Sequence, residues 1–310
     1  MICSIFQRFA PLTLAAALAG CAGGVGEIAE PSVFTGNHPF PVRETSPGHH
    51  LHDVHGIDVA KYQGEIDWPA VKAAGIGFAF IKATEGADRM DDRFQQNWAA
   101  ARAAGVPRGA YHFNYWCSPV EAQIDAFKRV VPVEHDSLPP VLDLEWNFDS
   151  PTCPRKVPKD VALEAIHKFL RAMEAHYRKR PIVYVDIPFY RDVLSGGELH
   201  DYPVWVRSVA APPQVRYPNR RWAFWQYSAK GRVPGIRPLV DKNVFAGSRE
   251  EWRRLVASNF SHRNAPAVAS PAPAQPAPAA QPAVLTASST PGAATPTTDQ
   301  AEAPIVEASR

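Results

Sequence analysis

Two hydrophobic patterns alternate along the middle of the chain. Short runs of β-branched and aromatic residues predict strands, and longer stretches with an apolar residue every three or four positions predict helices. The predicted strands cover residues 56–60, 77–83, 109–115, 138–145, 181–185, 204–206, 223–227 and 240–245. The predicted helices cover residues 68–74, 94–104, 159–177 and 248–256, and one more begins near residue 118.

This alternation of strands and helices predicts a parallel sheet. About eight strands within roughly 200 residues predict a closed or nearly closed α/β barrel, similar to a TIM barrel. The later helices are short or missing, so we expect the barrel to be irregular. We place this domain at residues 53–258.

The flanking segments lack both patterns. Residues 22–52 are polar with scattered glycine and proline, which indicates a flexible tether. Residues 259–310 are rich in alanine, proline and threonine, with few charged or aromatic side chains. A segment of this composition buries too little apolar surface to order itself, so we expect a disordered tail.

Residues 1–21 have the pattern of an export signal. A basic residue precedes an apolar run over residues 11–20, which is too short to span a bilayer permanently. Leu18-Ala19-Gly20-Cys21 resembles the bacterial lipoprotein signal, in which the cysteine becomes the lipidated first residue of the mature protein. The resemblance implies an exported envelope protein, anchored to the membrane through Cys21 and facing the periplasm. An ordinary cleaved signal peptide is the alternative.

Loss of the signal would remove Cys3, and acylation would consume Cys21. The two remaining cysteines are Cys117 and Cys153. In an exported protein we expect them to form a disulfide, with two buried free thiols as the alternative.

The charge of the chain is nearly balanced, with 33 Lys and Arg residues against 31 Asp and Glu residues. Proteins that bind nucleic acid usually carry a clear basic excess, so we expect no nucleic-acid partner. The sequence also has no glycine-rich phosphate loop, and its histidines match no standard metal spacing. We expect a monomer without a metal or cofactor.

Two acids close the fourth predicted strand. Asp143 and Glu145 are two positions apart and point to the same face, with Cα atoms about 6.6–6.8 Å apart. Burial and like charge would raise the pKa of one of them, which gives a proton donor beside an ionised group. Glycoside cleavage needs such a pair. Two solvated strand-end acids are the alternative.

Other polar and aromatic residues follow the ends of the predicted strands, where barrel enzymes place their chemistry. They include two further aspartates, Asp58 and Asp241. Aromatic side chains beside acids suit sugar rings, so we expect the following residues to contact substrate: Tyr62, Glu85, Tyr111, Tyr184, Trp205 and Gln226.

Six motifs in order along residues 54–256 resemble those of the family 25 glycoside hydrolases, the Chalaropsis-type lysozymes or N-acetylmuramidases. The motifs are His55-Gly56-Ile57-Asp58-Val59 with Tyr62-Gln63-Gly64, Phe80-Ile81-Lys82-Ala83-Thr84-Glu85-Gly86, Gly109-Ala110-Tyr111-His112-Phe113, Leu142-Asp143-Leu144-Glu145, Trp225-Gln226-Tyr227-Ser228 and Asp241-Lys242-Asn243-Val244-Phe245.

The resemblance implies an irregular α/β barrel that binds peptidoglycan glycan strands. The bond cut would be the β-1,4 link from N-acetylmuramic acid to N-acetylglucosamine, with net retention. The family's proton donor falls on Glu145 and its partner carboxylate on Asp143, while two further active-site aspartates fall on Asp58 and Asp241. Direct attack by Asp143 and assistance by the substrate's own acetamido group both remain open.

The sequence departs from the family pattern at two places. Asp186 stands where the family commonly has Asn, and Trp205-Val206-Arg207-Ser208-Val209 replaces the usual Trp-x-Ala-x-Tyr. These departures concern the subsites that bind the glycan and not the acid pair.

Two other functions fit these residues less well. A non-catalytic glycan-binding module could lose an acid, but all four are present. A chitinase-like enzyme would need a longer acidic signature on the fourth strand, which residues 138–141 lack.

Overall fold

The computed structural model describes residues 48–148 and 150–261. The predicted lipoprotein signal with Cys21, most of the predicted tether and most of the predicted tail lie outside the described residues. Those three predictions therefore remain expectations.

Nine strands form one sheet, and eight of them close into a barrel. The strand order around the barrel is β1-β9-β8-β7-β6-β5-β4-β2, and pairing of β1 with β2 closes it. The short β3 is added to the edge of β2. The strands are β1 (His55–Val59), β2 (Phe78–Glu85), β3 (Arg89–Met90), β4 (Arg108–Phe113), β5 (Val141–Leu144), β6 (Ile182–Val185), β7 (Val204–Arg207), β8 (Phe224–Val233) and β9 (Ile236–Phe245). The predicted α/β barrel is confirmed.

The last strand departs from the predicted parallel sheet. β9 runs antiparallel to both β8 and β1. Only Pro234 and Gly235 separate β8 from β9, which is too short for the crossover that parallel strands require. Gly235 has φ 93°, and a Cβ atom there would lie 2.4 Å from the carbonyl oxygen of Asp67. The turn therefore requires glycine.

Seven α-helices occur in the described part of the chain, beside short turns of 3-10 and π-helix: α1 (Trp68–Ala73), α2 (Phe94–Ala103), α3 (Val120–Val130), α4 (Lys159–Tyr177), α5 (Ile187–Phe189), α6 (Pro213–Arg216) and α7 (Arg249–Ser261). Asp67 caps α1 by accepting a hydrogen bond from the Ala70 backbone N–H at 3.1 Å. The helices after β6 and β7 are only three and four residues long. The barrel is therefore irregular, as the sequence predicts.

Alternation along the strands divides the core into two parts. Side chains on the outer face, such as Ile81, Leu142 and Val183, pack against the helices. Side chains on the inner face fill the lower barrel with aromatic rings, which are Phe78, Phe80, Tyr184, Trp205, Phe224 and Phe245. This aromatic layer is the base on which the polar residues of the cleft rest.

A disulfide joins the loops that follow β4 and β5. Cys117 and Cys153 are bonded, with their Cα atoms 5.8 Å apart. The predicted disulfide is confirmed, and the alternative of two free thiols is wrong.

No helix among residues 48–148 and 150–261 combines the length and the apolar character that crossing a bilayer requires.

Candidate active site

A polar layer lies above the aromatic base, at the carboxyl ends of the parallel strands. Side chains alternate along a strand, so the residue two positions after an inward-facing aromatic also faces inward. Lys82 follows Phe80 in this way, and Arg207 follows Trp205. The inward-facing polar side chains are Asp58, Lys82, Tyr111, Asp143, Tyr184, Arg207, Gln226, Asp241 and Asn243. The structure thus gathers most of the predicted site residues in one cleft.

Asp143 and Glu145 lie at the centre of this cleft. The predicted strand included Glu145, but β5 ends at Leu144, so Glu145 lies one residue beyond the strand. Asp143 is only 8% exposed, and its Oδ1 atom has no hydrogen-bond partner among the described residues. Burial, and then the charge of Glu145, raise the pKa of Asp143 well above its ordinary value. The pair therefore resists double ionisation.

Glu145 is the carboxyl group best matched to a proton transfer near neutral pH. Burial, and then the charge of Asp186, raise its pKa to about 7, while the charge of Arg207 and a hydrogen bond with Tyr184 oppose that rise. Tyr184 donates its hydroxyl hydrogen to Gln226 Oε1 at 3.1 Å. A pKa of about 7 lets Glu145 both donate and accept a proton near neutral pH.

Asp58 anchors a set of hydrogen bonds on the opposite side of the cleft. Its Oδ2 atom accepts from Gln226 Nε2 at 3.0 Å and from Asn243 Nδ2 at 2.8 Å. Trp205 Nε1 donates to Asn243 Oδ1 at 2.8 Å. An indole nitrogen can only donate, so this contact fixes which end of the Asn243 amide faces Asp58.

Asp58 and Asp241 are cross-strand partners on β1 and β9. Burial, and then the charge of Asp241, raise the pKa of Asp58 well above its ordinary value. Burial also raises the pKa of Asp241, but a hydrogen bond from Asp58 lowers it. The proton of this pair therefore sits on Asp58, and Asp241, which is partly exposed, is the carboxylate that faces the cleft.

The backbone at Glu145 is held from the loop after β4. Trp116 Nε1 donates to the carbonyl oxygen of Glu145 at 2.8 Å. The Trp116 ring stacks on Phe189, with ring centroids 5.3 Å apart, and the next residue, Cys117, is bonded to Cys153. This arrangement fixes the position of the acid.

The remaining predicted substrate residues lie at different depths. Tyr62 is 71% exposed at the rim, and Tyr111 is partly exposed among the acids. Glu85 binds Lys82 at 2.7 Å and Arg89 at 3.0 Å. Trp205 is only 2% exposed and supports the cleft floor from below through Asn243.

Sequence reasoning did not select Lys82, Arg207 or Asn243 as site residues, and it noted Asp186 only as a strand-end acid that departs from the family pattern. Each shares its strand face with a predicted site or core residue two positions away, and that alternation was the available signal. Asp186 lies beside Glu145 because β5 and β6 are paired through Leu144 and Val185. Burial raises the pKa of Asp186 to about 6.

Among the described residues, no cluster of three or more His, Cys, Asp or Glu side chains could hold a metal ion.

Comparisons with known proteins agree with this geometry. Residues 57–236 match the family model described as glycosyl hydrolases family 25. Lysozyme M1 of Streptomyces globisporus is 37% identical over 208 residues, which are 63% of this chain and 68% of that protein. A lysozyme structure from Streptomyces coelicolor has a TM-score of 0.59 and 37% identity, covering 68% of this chain and 99% of that one. A family 25 glycosyl hydrolase structure from Bacillus anthracis has a TM-score of 0.60 and 33% identity, covering 68% and 98%. The chain belongs to glycosyl hydrolases family 25.

Proposed function

We propose that Glu145 and Asp143 are the acid pair with which this family 25 muramidase cuts the β-1,4 bond from N-acetylmuramic acid to N-acetylglucosamine in peptidoglycan. The observation that carries the assignment is the raised pKa of Glu145, about 7, beside a second buried carboxyl group. A general acid is most effective when its pKa is close to the working pH.

Glu145 donates its proton to the oxygen of the leaving sugar as the glycosidic bond breaks. The pair holds one proton, and in this proposal it is on Glu145, which leaves Asp143 ionised. Positive charge then develops on the ring left behind, and the Asp143 carboxylate stabilises it. Direct attack by Asp143 and assistance by the acetamido group of the substrate are both compatible with this role. In the second step Glu145, now ionised, takes a proton from the attacking water.

Asp58 and Asp241 serve this reaction from the opposite wall. Asp58 holds the amides of Gln226 and Asn243 in place. Asp241 presents a carboxylate that accepts hydrogen bonds from sugar N–H and O–H groups. Tyr62, Glu85, Tyr111 and Tyr184 are proposed to contact the glycan directly or to shape its binding surface.

We also propose that the protein is exported as a monomer and anchored in the cell envelope by lipidation of Cys21. Peptidoglycan lies outside the cytoplasm, and the Cys117–Cys153 disulfide suits an oxidising compartment. Residues 22–52 would then act as the tether between the lipid and the catalytic barrel.

Digestion of purified peptidoglycan tests the proposed reaction. The products should be muropeptides with muramic acid at the reducing end, identified by borohydride reduction and mass spectrometry. Chitin should be cleaved much more slowly under the same conditions. Products with N-acetylglucosamine at the reducing end, or faster cleavage of chitin, would contradict the assignment.

A further inference from the structure

Arg207 is the last residue of β7 and lies in a row of polar strand ends. Pairing of Val206 with Val185 places Arg207 beside Asp186, and Arg207 itself pairs with Gln226 of β8. Glu145 lies on the far side of Asp186. The guanidinium group is therefore on the same wall of the cleft as the proposed acid.

The charge of Arg207 reaches several carboxyl groups without being bound to any of them. It lowers the pKa values of Glu145, Asp186 and Asp241. Its side chain nevertheless forms no ion pair or hydrogen bond with any residue in the described ranges, and it is partly exposed. Lys82, the other cation of the cleft, is bound to Glu85 at 2.7 Å.

Asp186 forms no ion pair with the guanidinium group of Arg207. Its Oδ1 atom accepts a hydrogen bond from the Phe189 backbone N–H at 2.8 Å, as the N-cap of α5. This contact holds the Asp186 side chain toward the helix. Arg207 thus offers a planar set of donors to a molecule that enters the cleft.

We propose that Arg207 binds a carboxylate carried by the muramic acid residue and thereby makes the cleft select acidic glycan strands over neutral ones. The inference rests on the proposed function. A guanidinium group binds carboxylates through two parallel hydrogen bonds. Muramic acid carries a carboxyl group on its lactyl ether or, when that group is amidated, on the attached peptide. N-acetylglucosamine carries none, so an arginine at this position distinguishes the two sugars.

Binding measurements in a Glu145→Gln background test the proposal without turnover. The ligands are a muramic-acid-containing tetrasaccharide with free lactyl carboxylates, its methyl ester, a peptide-bearing tetrasaccharide and the ester of that peptide. Isothermal titration calorimetry gives the ratio of the ester Kd to the acid Kd for each pair. We expect a ratio of about ten or more for at least one pair, and a ratio near one after Arg207→Gln.

The pair with the high ratio identifies the source of the carboxylate, the lactyl group or the peptide. Arg207→Lys keeps the charge but loses the planar donors, so it should retain part of the preference. Arg253→Gln is the matched control because Arg253 is exposed on α7. It should leave the ratio unchanged.

An equal preference for acid over ester with and without Arg207, or no preference in the parent protein, would overturn the proposal. Digestion of peptidoglycan by the wild-type enzyme is measured separately. Normal muropeptide release together with an unchanged ratio would reject the role of Arg207 and leave the proposed function intact. Absence of muropeptide release would reject the proposed function itself.

Discussion

At the residue scale, the charge of Asp186 shifts the pH range of the proposed acid. Burial is the larger cause of the raised pKa of Glu145, and the charge of the neighbouring Asp186 adds to that rise. Asp186→Asn removes that charge, so the pKa of Glu145 should fall. Glu145 would then lose its proton at lower pH, and the basic limb of the kcat profile should move to lower pH. Asp201→Asn, which changes an exposed residue, is the control. A limb that stays in place or moves to higher pH would contradict the assignment.

The acid pair itself could be predicted from the sequence, because strand alternation brings Asp143 and Glu145 to one face. Which carboxyl group holds the proton could not be predicted from the sequence. That depends on Asp186, Arg207 and Tyr184, which come from other strands and lie near Glu145 only in the closed barrel. The amide orientation at Asp58 likewise depends on Trp205, which is distant in sequence and reaches Asp58 through Asn243.

At the element scale, the disulfide links the two loops that border the acid. Cys117 and Cys153 are 36 residues apart in the sequence. A disulfide that closes a loop of this length stabilises a fold by about 4 kcal/mol in the chain-entropy model. The Cys117→Ser/Cys153→Ser variant should lose a large part of that free energy of unfolding, measured by guanidinium denaturation. Reduced wild-type protein should behave like the variant. Equal stability of the variant and oxidised wild type would contradict this role.

Trp116 is a positioning residue in the same pair of loops. Trp116→Phe keeps an aromatic ring but removes the donor to the Glu145 carbonyl. We expect kcat to fall about fivefold with little change in KM, because the lost hydrogen bond, worth roughly 1 kcal/mol, orients the acid rather than the substrate. Trp222→Phe is the matched control, since Trp222 is buried and its Nε1 atom has no hydrogen-bond partner in the described part of the chain. A similar loss of kcat in both variants would assign the effect to packing.

The order of strands and helices also followed from the sequence, because periodicity and caps such as Asp67 are local. The antiparallel direction of β9 was not predicted, although Pro234-Gly235 is a sequence typical of a turn. The predicted strands at residues 223–227 and 240–245 stop short of that turn, since exposed Lys230, Arg232 and Arg237 interrupt the apolar pattern. The two long arms of this hairpin are held by their mutual pairing.

At the scale of the whole molecule, we propose that the barrel works close to a membrane. Cys21→Ala should remove the lipidation site and release the protein from the membrane fraction, with its muramidase activity retained in the soluble fraction. Fractionation with an antibody against the barrel measures the distribution. Retention of Cys21→Ala in the membrane fraction would place the anchor elsewhere, and a soluble wild-type protein would favour an ordinary signal peptide.

The central claim is that Glu145 donates the proton and Asp143 supplies the opposing charge. Glu145→Gln should reduce muropeptide release at least about 10²-fold, because the amide cannot act as the acid. Asp143→Asn should also cripple turnover, while Asp58→Asn and Asp241→Asn should cause smaller losses.

Folding should survive Glu145→Gln. The raised pKa means that folded Glu145 keeps its proton above pH 4.5, where the unfolded chain loses it, so its ionisation costs stability as the pH rises toward 7. The neutral amide avoids that cost. Circular dichroism should therefore show a variant at least as stable as wild type at pH 8, which excludes unfolding as the cause of lost activity.

The most direct measurement is the rate at which folded Glu145→Gln releases reducing muramic acid ends from purified peptidoglycan, beside wild type and Asp58→Asn. The account predicts almost no release by Glu145→Gln and a smaller loss for Asp58→Asn. Release by folded Glu145→Gln at the wild-type rate would contradict it.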